Sequence, residues 1–157
     1  MTVVQRLELV SVEQTGLGTV SVLPSDLKET DVVFMQPISR LDTHRYSRGI
    51  LLMSSFLDMH KIPTTIFEPH KYLANAMRWH FPSPEQMKEV EDKVLANAKA
   101  WQTKIFCFTC ATVEFNEVIE LSNKIKKVVP GAIFVAGGYH ADAFPDDFLK
   151  NGFEFAV

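Results

Sequence analysis

Cysteine is scarce in this sequence: only Cys107 and Cys110 occur, three apart on one segment. That spacing rules out a disulfide framework and suits a reducing compartment such as the cytoplasm. No second cysteine pair is present to complete a zinc site. A basic surplus is missing too. The net charge of −3 leaves no electrostatic footprint for nucleic acid, whose phosphates call for clustered Lys and Arg. No apolar run approaches the ~20 residues needed to span a bilayer. The N-terminus, MTVVQRLELV, lacks the basic stretch and apolar core of a signal peptide. Several nucleotide signatures are also absent. No GxGxxG follows the first strand-like run after residue 30, and no GxxxxGK with Ser or Thr occurs. That run does not end in the acidic cluster of a phospho-receiver, and loop 38–49 has no glycine before Gly49 to cradle a flavin phosphate.

What remains is an ordinary globular composition, 46% hydrophobic and 22% charged, in 157 residues, a length suited to one domain. Residues 3–12 and 18–23 alternate apolar and polar around Thr15-Gly16-Leu17-Gly18, which predicts an N-terminal β-hairpin extension over 1–30. From residue 31 the pattern changes. DVVFMQP is a short continuous apolar run closed by Pro37, as expected of a strand covered on both faces. RGILLMSSFLDMHK predicts a helix with Ile50, Met53 and Leu57 on one face and Leu52 and Phe56 beside them. TTIFE (64–68) is a second strand, and 72–79 a possible short helix. Ser83-Pro84-Glu85-Gln86 opens a helix running to about Trp101, with Ser as cap and Gln as capping-box partner. KIFCFTC (104–110) is a third strand. FNEVIELSNKIKKVV follows as a helix with Val118, Leu121, Ile125 and Val128 on its apolar stripe. AIFVAGG (132–138) is a fourth strand, ADAFPDDFLKNG one short helix stopped at Gly152, and FEFAV a fifth strand.

Alternation of strand and helix from 31 to 157 predicts an α/β fold, a Rossmann-like, doubly wound, five-stranded parallel sheet. Ligands in such sheets sit outside the carboxyl ends of the strands. Loops 38–49, 110–115 and 137–144 are therefore the places to search. Gly137-Gly138 closes the fourth strand, and either a tight turn or the close approach of another body accounts for two glycines there. Cys107 lies within an apolar strand rather than at the helix N-terminus a redox dithiol favours, so packing is the preferred reading of the pair. Cys107 is expected to react slowly and Cys110, at the strand exit, faster. His44 has Asp42 two residues away, the spacing of a metal-bound imidazole and its orienting carboxylate. A solvated polar pair is the preferred reading there.

Gly137-Gly138-Tyr139-His140-Ala141 with Phe144-Pro145, preceded by KIFCFTCATVEF and its amphipathic helix, resembles the N-terminal cobalamin-binding domain of cobalamin-dependent radical S-adenosylmethionine enzymes. The resemblance covers about residues 31–157. It implies a domain that binds cobalamin at the carboxyl edge. Thr109, Ala111 and Thr112 would line the groove, Gly137 and Gly138 would make room for the nucleotide tail, and Tyr139 and His140 would meet the tail or the corrin rim. The Asp-x-His-x-x-Gly motif of His-ligating cobalamin proteins is broken, with Ser47 in place of its glycine. No protein imidazole is therefore expected on the cobalt, His44 being the one weak candidate. The resemblance further implies an excised domain whose parent, a methyltransferase or related radical enzyme, carries S-adenosylmethionine and a 4Fe–4S cluster in a radical domain. That cluster needs three thiolates in CxxxCxxC, which this chain lacks, so no catalytic residue is assigned. The competing reading is a corrin-free Rossmann-like scaffold or interaction module. Neither reading involves a nucleic-acid or membrane partner.

Overall fold

The computed structural model describes residues 30–37, 47–67, 83–101 and 103–157. The expected hairpin over 1–30, the helix over 72–79 and the Asp42–His44 pair lie outside these residues, apart from Thr30 at the hairpin's end. Elements run β1 (Val32–Met35), α1 (Arg48–Met59), β2 (Thr64–Phe67), α2 (Pro84–Ala100), β3 (Ile105–Thr109), a 3₁₀ turn (Thr112–Glu114), α3 (Phe115–Val128), β4 (Ile133–Gly137), α4 (Tyr139–Ala143), α5 (Pro145–Lys150) and β5 (Phe155–Ala156). The five strands form one all-parallel sheet in the order β2-β1-β3-β4-β5, flanked by helices, consistent with a Rossmann-like fold. The chain reverses direction across the sheet between β1 and β3. The carboxyl ends of these two strands are thus the switch point at which such sheets hold ligands.

Strand periodicity sorts the side chains onto two unequal faces. Val33, Met35, Phe106, Phe108, Phe134 and Ala136 point to one side, where Val90, Val94 and Ala98 of α2, Val118, Leu121 and Ile125 of α3, and Phe148 of α5 close a single buried core. Phe108, Phe134, Phe148 and Phe153 meet ring to ring, three of their contacts edge-on, the arrangement the aromatic quadrupole favours. On the other side, Val32 and Phe34 pack with Ile50, against half-buried Leu57, Ile66, Ile105 and Cys107. Among the described residues α1 is the helix on that side, and it packs on β2. Central β1 is consequently buried on both faces, whereas β3 and β4 are fully buried on alternate residues only.

Local chemistry explains the helix limits. Ser83 accepts from the Gln86 N–H while the Gln86 side chain accepts from the Ser83 N–H, which satisfies two donors at the start of α2. Lys124 of α3 ties α2 to α3 through Glu91 at 2.6 Å. Two expectations are corrected here. The single helix expected over ADAFPDDFLKNG is two, broken at Phe144 (φ −138°, ψ 60°), because the ring of Pro145 drives the preceding residue out of the α region. The apolar stripe expected on α1 holds at Ile50 and Leu57 but not at Met53. Ile50 and Ser54 are buried and Leu57 half-buried, while Leu52, Met53 and Phe56 face outward. Inside, the Ser54 hydroxyl meets that of Thr64 at 2.6 Å, so part of the inner stripe is polar.

Candidate ligand site at the carboxyl edge

The loops leaving β3 and β4 are laced together through Cys110. Its N–H donates to the Gly137 carbonyl at 2.8 Å, and its carbonyl accepts from the His140 N–H at 3.1 Å. Glu114 anchors the first loop through an N–H bond from Ala111 at 3.0 Å. The structure thereby brings Thr109, Ala111, Thr112, Gly137, Gly138, Tyr139 and His140 together at one end of the sheet.

Their positions differ. Thr109 and Gly137 are register partners and half-exposed. They lie on the sheet side away from the sealed core, in line with half-buried Cys107 and Val135. A Cβ on Gly137 would have the Val157 and Phe108 carbonyls at 3.8 and 3.9 Å, which is ordinary contact. The backbone therefore has no need of glycine at 137.

Gly138 is the reverse. Its φ of +95° with ψ of −177° is a conformation open essentially only to glycine. A Cβ there would lie 2.9 Å from the Cys110 carbonyl oxygen and 3.0 Å from its nitrogen. The second glycine is accordingly accounted for by the β3 loop against which it is pressed.

Ala111 is half-buried and Thr112 exposed. Tyr139 is 87% exposed, whereas His140, next in the chain, is buried against the rings of Phe115, Phe144 and Phe148. Its Nδ1 is 3.2 Å from the Thr112 hydroxyl, and its Nε2 lies 3.6 Å from an Asp147 carboxylate oxygen. Sequence reasoning missed Asp147 and the three phenylalanines. The spacing of His140 and Asp147, seven residues, would align them on one continuous helix. Here they meet across the break at Pro145 instead.

The cysteines behave as packing residues in one respect and depart from expectation in another. Burial pushes the Cys107 thiol up to about 11 and Cys110 to about 12, the latter also by the nearby carboxylates of Glu114 and Glu117. A thiolate is disfavoured at both, unlike a reactive cysteine. The expected order of access is reversed. Cys110 is buried beneath the β4–α4 turn and Cys107 half-buried on the sheet side away from the sealed core.

Among the described residues no group of three or more His, Cys, Asp and Glu is placed to hold a metal ion. Among the same residues no helix is long and apolar enough to cross a membrane. No family model matches this chain, and no curated protein matches it.

Proposed function

We propose that the chain binds cobalamin at the carboxyl edge of its sheet. One observation carries the reading: among the described residues, the strip of Cys107, Thr109, Val135 and Gly137 is only half-buried, on the sheet side away from the sealed core, and ends in a glycine that the backbone does not require. A Cβ at 137 would meet only the Val157 and Phe108 carbonyls, at ordinary distances, as at a position kept free of a side chain for a flat ligand. The residues fit the nucleotide tail on this count, with the Thr109 hydroxyl as a hydrogen-bond partner within the strip and Tyr139 exposed beside it. Ala111, Thr112 and His140 belong to the adjoining loops. When bound, cobalamin supplies the cobalt-centred methyl or radical chemistry, and the protein's part is to hold and orient it. By the sequence resemblance, the partner is a radical S-adenosylmethionine domain of the same parent, which would hold the 4Fe–4S cluster and S-adenosylmethionine for a methyl transfer or related radical reaction.

A specific observation favours the second reading, a corrin-free scaffold. Gly138 and His140, two of the residues that carry the resemblance, are both engaged in packing the two loops on each other. Reconstitution separates the readings. Protein incubated with hydroxocobalamin and desalted is expected to keep the visible corrin absorbance in step with protein concentration. Complete loss of colour at the first desalting supports the scaffold.

A further inference from the structure

The two ring nitrogens of His140 have different surroundings. Its side chain is only 7% exposed, and Nε2 is buried without a hydrogen-bond partner, facing the Asp147 carboxylate at 3.6 Å. A bare Nε2 would aim its lone pair at an anionic oxygen, whereas a protonated one aims its N–H there. The neutral ring therefore keeps its proton on Nε2 and leaves Nδ1 bare. Nδ1 is 3.2 Å from the Thr112 hydroxyl, and of those two atoms only the hydroxyl then has a hydrogen to give. Its one hydrogen is directed inward to the ring, so the hydroxyl oxygen of Thr112, itself an exposed residue, has nothing but lone pairs for any further partner.

We infer that Thr112, with its polarity set by the His140 tautomer, is a specificity-determining acceptor at the carboxyl edge that takes an N–H or O–H donor of a ligand and rejects phosphate. The inference deepens the cobalamin reading and rests on it for the ligand's identity, since primary amides on a corrin rim are donors of this class. His140 and Asp147 act through Thr112, as positioning residues.

The test begins without ligand. Long-range proton–nitrogen correlation of the nitrogen-15-labelled full chain in mildly alkaline buffer reads the tautomer, with His140 assigned by the signal lost in His140→Gln. The expected result is a proton on Nε2 and a bare Nδ1 that shifts to a protonated Nδ1 in Asp147→Leu. A proton on Nδ1 in the unsubstituted protein, or an unchanged tautomer in Asp147→Leu, overturns the inference. The second arm titrates wild type, Thr112→Val and Thr112→Ser with hydroxocobalamin and with inorganic phosphate. Valine is expected to weaken cobalamin binding about tenfold, the loss of one hydrogen bond, and serine to restore it. Undiminished binding by Thr112→Val, or a phosphate-induced shift of the Thr112 amide, contradicts it. Should wild type bind no cobalamin, the functional reading fails, while the tautomer and phosphate results still decide the role of Thr112.

Discussion

Gly137 and Gly138 stand side by side at the end of β4, yet only the second is held to glycine by its backbone, with φ of +95° and Cys110 within 3.0 Å of any added Cβ. Gly138→Ala is therefore expected to destabilise the fold by roughly 1–3 kcal/mol from conformation alone, and more from the overlap. Thermal unfolding should show this as a drop of about 2–4 °C for each kcal/mol. An unchanged midpoint would mean that the turn relaxes without cost. A valine at 138, attractive from sequence as a block to ligand binding, would confound binding with folding. The cysteines offer a second residue-scale check. With Cys110 buried and Cys107 half-buried, a thiol reagent is expected to label Cys107 first under native conditions, and both slowly. Peptide mapping after partial labelling reads the order, and faster labelling of Cys110 would contradict the packing described.

At the scale of elements, α1 separates what periodicity reveals from what it hides. Its apolar residues surround the helix, so any stripe can be drawn through Ile50, Met53 and Leu57, and only tertiary packing picks out Ile50 and Ser54 as the inner face. Ile50→Ala is expected to cost about 2–4 kcal/mol and Leu52→Ala less than about 0.5 kcal/mol in denaturant unfolding, because only the first leaves a cavity. Equal costs would show that the outer face is buried as well. Helix α3, with charges filling its outer side, was legible by contrast. Val118, Leu121 and Ile125 stand buried where the spacing puts them, and Val128, in the last turn, is half-buried. The capping box at Ser83 was equally legible, being a contact between near neighbours. The break at Phe144 follows from Pro145 and lay within reach of the sequence. The burial of His140 did not, since its cage is assembled from α3, α5 and the residue at that break. Which of the two glycines the backbone needs was likewise hidden, because the answer lies in Cys110, far back in the chain.

The described residues form an asymmetric sandwich of layers about one parallel sheet. Helices α2, α3 and α5 seal one face, while on the other, among the described residues, α1 lies over β1 and β2. The strand order β2-β1-β3-β4-β5 puts the reversal of chain direction between β1 and β3, and β3 and β4 bring Thr109 and Gly137 to the same edge, on the side away from the sealed core. Fold class was readable from the alternation of elements, whereas ligand identity rests on the resemblance and on a glycine at 137 that the backbone does not require. The most direct measurement of the central proposal is the affinity of hydroxocobalamin for wild type and for Gly137→Val by isothermal titration calorimetry, with circular dichroism on both. Because a Cβ at 137 meets only ordinary contacts, the account predicts an unchanged spectrum and a loss of affinity of at least about tenfold, which corresponds to about 1.4 kcal/mol. Equal affinity in the two proteins would place the ligand elsewhere, and no heat of binding to the wild type at any accessible concentration would contradict the proposal outright.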